Sequence, residues 1–234
     1  MKSSPIILVP GWWLGAWAWD EVAALLRSKG HDVTPLTLPG LESADADRSA
    51  ISQSDHVATI VGAVRAAPAP VVLAVHSGAG FTGYAASDRI PDGIAAMVYV
   101  DTGAGVGAPD AEFTGPEKPL PSAEELAANE NLDGLSEAQL RTFRERAVPE
   151  PGGVLREGIE LTNDARLDIP STVICTGYTS KEYADAVEAG YDFVLGLRDL
   201  RKLDYVDLPT SHWVMWSRPV DLARIIGDIA KAAG

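Results

Sequence analysis

Val71-Val72-Leu73-Ala74-Val75-His76-Ser77-Gly78-Ala79-Gly80-Phe81-Thr82-Gly83 is the stretch on which the reading of this chain turns. An apolar run rich in valine stops at His76-Ser77, glycines follow at 78, 80 and 83, and a helix-compatible run lies beyond. The pattern predicts a buried strand, a tight turn and a helix whose first turns carry almost no side chains. A Ser at that corner has its hydroxyl exposed above the sheet, and the N–H of Gly78, at a helix N-terminus, points at whatever the Ser attacks. Small neighbours are needed because the corner brings backbone close to backbone.

Three readings fit these residues. One is a nucleophile elbow, G-x-S-x-G, in degenerate form, with Val75 and Ala79 at the outer positions. The second is a dinucleotide fingerprint: Gly78, Gly80 and Gly83 spell G-x-G-x-x-G after a strand, and Asp101 lies 18 residues past Gly83. The third is a strand–helix turn with no chemistry.

Working outward, Pro5–Val9 reads as the first strand and runs into the loop Pro10-Gly11-Trp12-Trp13-Leu14-Gly15. A helix follows with Val22, Leu25 and Leu26 on one face, ending at Lys29-Gly30. His31–Leu38 reads as a second strand. Ser52 or Ser54 can cap the next helix, whose Val57, Ile60, Val61 and Val64 fall at i, i+3, i+4, i+7; His56 beside that face reads as a surface or satisfied His. After the elbow helix, Ile94–Val100 is a fourth strand ending at Asp101. Strand and helix alternate with short loops, which predicts a doubly wound, mostly parallel sheet with its chemistry at the carboxyl ends of the strands.

Regularity breaks over residues 102–166, where glycines and prolines cluster and two short helices are predicted, near Ser122–Asn129 and Ser136–Ala147. Between Pro109 and Ala165 there are 13 acidic against 5 basic residues. Inserted here, over the carboxyl end of the sheet, the segment is expected to be a small helical lid within a single domain spanning 1–234. The sheet resumes at Ser171–Thr176, a helix covers about Ser180–Ala189, and Leu203–Leu208 is the last strand. The loop Pro209-Thr210-Ser211-His212-Trp213 leads to a closing helix from near Ser217.

The whole chain narrows the classes. Its 234 residues suit one α/β domain, and no apolar run approaches the ~18 residues of a membrane span. The opening MKSSPIILVPGWW lacks the apolar region and cleavage site of a signal peptide. One cysteine, Cys175, fits a reducing cytoplasm and reads as a buried structural thiol. A net charge of −14 disfavours nucleic acid and anionic membranes as partners.

His212 separates the readings. It follows the last strand, so it too sits at the carboxyl edge. A dinucleotide site has no use for it, whereas acyl transfer needs a neutral imidazole to take the Ser proton and return it to the leaving group. At this point the chain resembles the α/β-hydrolase superfamily over nearly its whole length. Gly15-Ala16-Trp17-Ala18-Trp19 is similar to the HGxxxGAWxW stretch of the plant methylesterase and hydroxynitrile lyase branch. The resemblance implies Ser77 as nucleophile, His212 as base, and the backbone N–H groups of Trp12 and Gly78 as oxyanion donors, with no metal or organic cofactor. Three departures stand out. Pro10 replaces the family's His, Val75 replaces the elbow's first small residue, and no carboxylate follows the Ser171–Thr176 strand where the acid is usually kept.

Asp101, at the end of its own strand, is the candidate acid and preserves the order Ser, Asp, His; Glu182 and Asp185 are the alternatives. The expected chemistry is hydrolysis of a small-molecule carboxylic ester through an acyl-Ser intermediate. Trp13, Phe81, Trp213 and Trp216, with Trp12, are expected near the mouth and point to an apolar or aromatic group on the substrate. The acidic lid is expected to disfavour anions weakly. Two rivals remain: a hydroxynitrile-type lyase, although no Lys sits beside His212 in the sequence, and a protein that binds a small ligand without turnover.

Overall fold

The computed structural model describes residues 3–234; Met1 and Lys2, part of the stretch read against a signal peptide, lie outside the described residues. The first half of the chain alternates regularly. Strand β1 (Ile6–Val9) leads through a short 3-10 turn to α1 (Asp20–Ser28), then β2 (Val33–Pro35) and α2 (Gln53–Ala66). Next come β3 (Val71–His76), α3 (Ala79–Arg89) and β4 (Ile94–Val100). The second strand is shorter than the span read from 31–38. β2 lies at the sheet edge and pairs with β1 alone, only opposite Ile6–Leu8; Pro35 is tolerated there because Leu36, not residue 35, donates to the Leu8 carbonyl.

Residues 102–166 contribute only short elements. These are β5 (Glu117–Lys118), α4 (Ala123–Asn129), α5 (Glu137–Arg146), β6 (Glu150–Pro151) and α6 (Gly152–Arg156). β5 and β6 pair antiparallel, with Lys118 opposite Glu150. The chain then returns through β7 (Ser171–Cys175), α7 (Ser180–Ala189) and β8 (Leu203–Asp207) to α8 (Val214–Ser217) and α9 (Pro219–Ala232). The closing helix expected from near Ser217 is α9, and the short α8 precedes it. Pro219 clashes with a helical residue before it, and Arg218 leaves the helical region at φ −139°, ψ 55°.

The main sheet has six strands in the order β2-β1-β3-β4-β7-β8, all parallel. Alternate residues of each strand face opposite layers. Ile6, Leu8, Val72 and Ala74 share a core with Leu26, Leu222 and Ile226 of α1 and α9. Ile7, Val9, Leu73 and Val75 share the other with Ile60 and Val61 of α2 and Tyr84 of α3. This α/β arrangement is the doubly wound sheet expected from the sequence. No helix among the described residues is long and apolar enough to cross a membrane.

Capping follows the local chemistry. Ser52 caps α2 in a reciprocal box with Asp55, while Ser54 instead donates its hydroxyl to Glu157. Ser122 with Glu125, Ser136 with Gln139 and Thr179 with Glu182 form the same box at α4, α5 and α7. His56 is buried, with Nε2 2.8 Å from the Pro39 carbonyl oxygen. Cys175 is buried too, and burial pushes its thiol up to about 12.

Candidate active site

β1 and β3 lie side by side, but the chain visits the edge strand β2 between them. The carboxyl ends of β1 and β3 therefore flank the point where strand order reverses, the place where open α/β sheets leave a crevice. Trp12 and Trp13 follow β1, Ser77 follows β3, and Asp101 follows the neighbouring β4. Among the described residues, the only non-glycine side chains at positive φ are Trp13 (67°), Ser77 (53°) and Asp101 (46°). Each such residue costs on the order of 1–3 kcal/mol, a strain that persists only where the surroundings impose it. Here all three sit at the same crevice.

The three residues singled out from the sequence meet there. Ser77 Oγ lies 2.8 Å from His212 Nε2, and His212 Nδ1 lies 2.6 Å from Asp101 Oδ2. Asp101 Oδ1 also accepts the Thr176 and Gly177 amides, at 3.0 and 3.2 Å. Burial alone would raise the Asp101 carboxyl, but the His212 bond, the His212 charge and the Thr176 donors outweigh it and hold it below the usual carboxylate range. For His212, burial would favour the neutral ring, yet bonding and attraction to Asp101 leave it above the usual His value. With Asp101 ionised, Nδ1 carries the ring proton and Nε2 is left to accept from the Ser77 hydroxyl.

His212 is held from its backbone as well. Its N–H donates to Asn131 at 2.9 Å, and its carbonyl accepts from His76 Nε2 at 2.8 Å. His76 is wholly buried; desolvation first, and the neighbouring His212 second, push it down to about 3, so it stays neutral and donates steadily.

The glycines that spelled a dinucleotide fingerprint are occupied by packing. A Cβ at Gly78 would meet Trp12 Nε1 at 2.2 Å, one at Gly80 the Gly103 carbonyl at 2.4 Å, and one at Gly83 Val75 Cγ1 at 2.4 Å. The last contact also accounts for the bulky Val75: the room it needs is left by the missing side chain at 83. Neither the Trp12 nor the Gly78 amide donates to another group among the described residues, and both residues line the cavity that contains Ser77.

The alternative acids are engaged elsewhere. Glu182 accepts from the Thr179 amide and hydroxyl at the start of α7, and Asp185 pairs with Lys181 at 2.6 Å, all exposed. The loop after β7, where the family usually keeps its carboxylate, supplies amide donors to Asp101 instead.

Two cavities adjoin Ser77 and His212. The larger, about 410 Å³, is lined by Phe81, Asn131, Tyr178, Tyr183 and Phe193 among others. The smaller, about 190 Å³, is lined by Trp12, Trp13, Lys118, Pro121, Glu130 and Trp213. Of the aromatics expected near the mouth, Trp216 lines neither. Its ring stacks on Trp17 and Trp213 and its indole donates to Ala18, so it packs the wall behind the site. Trp213 is buried edge-on against His212. No Lys sits beside His212 in the sequence, but Lys118 reaches the smaller cavity from 94 positions away, with Nζ 4.7 Å above the Trp12 ring. Asn131 and Lys118 carried no signal of their own in the sequence; both lie in the irregular 102–166 segment. Among the described residues no three His, Cys, Asp or Glu side chains are grouped to hold a metal ion.

The sequence pattern of the alpha/beta hydrolase family matches residues 6–225. Esterase PIR7B of Oryza sativa subsp. japonica is 37% identical over 136 residues, 53% of this chain and 50% of that protein. The carbendazim hydrolyzing esterase of Nocardioides sp. (strain SG-4G) is 32% identical over 97 residues, 41% of this chain and 40% of that protein. The chain thus spans about half the length of the curated relatives it matches. An extracellular alpha/beta-hydrolase from a Paenibacillus species superposes with a TM-score of 0.75 at 19% identity, over 97% of this chain and 99% of that one, a likeness of fold.

Proposed function

The chain belongs to the alpha/beta hydrolase family, and from that premise we propose that it is a carboxylic ester hydrolase using Ser77, His212 and Asp101. The observation that carries this reading is the continuous line Ser77 Oγ–His212 Nε2, His212 Nδ1–Asp101 Oδ2. The esterase names of its partial relatives support it.

Ser77 Oγ attacks the ester carbonyl while His212 Nε2 takes its proton. The carbonyl oxygen gains charge between the Trp12 and Gly78 amides, a role supported by their having no other acceptor among the described residues. The imidazolium, stabilised by Asp101, protonates the departing alcohol. Water, deprotonated by the same Nε2, then cleaves the acyl-Ser77 and restores the serine. The cavities of about 410 and 190 Å³, both lined by Ser77 and His212, suit a small substrate with one larger and one smaller arm. Residues 102–166 act as a lid, since Asn131, Lys118 and Glu130 reach the site from it. The single buried Cys175 fits a cytoplasmic setting.

Screening p-nitrophenyl esters of graded chain length, alongside fluorophosphonate labelling, tests the reading. Turnover with labelling at Ser77 is expected, and a chain that neither hydrolyses nor takes label defeats it. The pH profile is a second check. His212 must be neutral to act, and Asp101 raises its pKa above 6.5, so kcat/KM should fall as pH drops through a value above that of an ordinary His. Asp101→Asn should move this limb to lower pH. A limb at or below 6.5 in the unaltered protein counts against the pairing.

One observation favours a second reading. Lys118 shares the smaller cavity with Ser77 and His212, which brings a cation where a hydroxynitrile-type lyase would use one. Release of cyanide from aromatic cyanohydrins, lost in Lys118→Met, would establish that activity.

A further inference from the structure

Glu150 takes no part in the mechanism above, yet it is buried to 1% exposure beside the loop that carries Trp12. We infer that Glu150 is a positioning residue for the oxyanion site, holding Trp13 in its left-handed turn so that the Trp12 amide faces the reacting carbonyl. The inference rests on the ester-hydrolase reading and adds a component to it.

A large aromatic at φ 67° is an unfavourable choice that needs external restraint. Three hydrogen bonds supply it, all from residues 102–166. The Trp13 N–H donates to Glu150 Oε2 at 3.1 Å, its carbonyl accepts from the Val148 N–H at 3.1 Å, and its indole donates to the Lys118 carbonyl at 3.0 Å. Two of the three acceptors or donors are backbone; Glu150 alone is a side chain. It faces Lys118 across the β5–β6 ladder, so the pairing that positions Glu150 also positions the indole's acceptor.

The groups around the carboxyl are few. Glu150 Oε1 lies 3.9 Å from His56 Nδ1, too far for a hydrogen bond, and Arg48 and Lys118 act on it at longer range. Desolvation dominates and raises the carboxyl to about 8, so at neutral pH it is mostly the uncharged acid. His56 is likewise kept neutral by burial. A glutamine is therefore close in shape and charge to the native group, and its carbonyl oxygen can accept from Trp13. A leucine of similar volume cannot.

The test compares the full chain with Glu150→Gln, Glu150→Leu and Glu150→Asp, each checked for folding by circular dichroism and melting temperature. The readouts are kcat and KM for a p-nitrophenyl ester, and the Ki of a trifluoromethyl ketone, whose serine adduct carries an oxyanion. Glu150→Leu should lower kcat by about 10²-fold with KM little changed, and weaken the ketone in parallel. Glu150→Asp, which keeps the carboxyl but withdraws it from Trp13, should show the same selective loss and serves if the leucine variant does not fold. Glu150→Gln should stay within a few-fold of the unaltered chain. If the unaltered chain turns over while the folded Leu or Asp variant keeps its kcat and ketone affinity, the inference fails alone. An equal loss in the Gln variant also overturns it. If the unaltered chain hydrolyses no ester, the ester-hydrolase reading fails and takes this inference with it.

Discussion

Ser77→Ala should lower turnover of an ester by up to about 10⁶-fold while the fold is kept. Ser77 Oγ is the hydroxyl that faces His212 Nε2, and no other side chain donates to that nitrogen among the described residues. The neighbouring Ser211 is buried and donates to Ser217, so it offers no substitute. What survives should be the modest rate due to the oxyanion donors and binding alone. The backbone at 77 keeps its left-handed turn, because the surrounding contacts rather than the hydroxyl impose it. The measurement is kcat/KM together with a melting curve and mass-spectrometric mapping of the phosphonate adduct. An active Ala variant, or label on a different residue, would refute the assignment.

Asp101→Asn should lower kcat by roughly 10⁴-fold, again with little loss of stability. Asparagine tolerates the left-handed region that Asp101 occupies at φ 46°, and its carbonyl oxygen can still accept the Thr176 and Gly177 amides. What changes is the atom facing His212. An NH₂ group there donates to Nδ1, which forces the ring proton onto Nε2, and Nε2 can then no longer accept from Ser77. The same assay on Glu182→Gln and Asp185→Asn should return near-native rates, since those side chains serve a helix cap and an exposed ion pair. If Asp101→Asn stays active while either of the others abolishes turnover, the acid has been misplaced.

The parallel sheet and the triad candidates could be read from local pattern because each lies where an apolar run ends. Ser77 and Asp101 directly follow β3 and β4, His212 lies in the loop after β8, and a parallel sheet gathers its strand ends on one edge. The features that could not be read depend on contacts across long sequence separations. Lys118 and Glu150 come together in a ladder only two residues long on each side, too short for any periodicity to show. Trp216 was expected at the mouth because a cluster of aromatics gives the same signal whether it lines a cavity or packs behind one. The second strand is shorter than its β-branched stretch because its one neighbour, β1, pairs with it only over Ile6–Leu8, a limit set by the partner strand and not by the residues of β2.

The contact between Val75 and Gly83 has a consequence for how such corners are recognised and altered. Val75 Cγ1 fills the space that a Cβ at 83 would enter, 2.4 Å away. In this chain the room at the corner is shared between two positions eight residues apart, so the bulk at 75 is tolerated because 83 has no side chain. Exchanging the pair tests this directly. Val75→Gly alone opens a void and Gly83→Ala alone overpacks, each at a cost of about 1–3 kcal/mol, whereas the double variant should recover part of both losses. Melting curves that merely add would show the two positions to be independent.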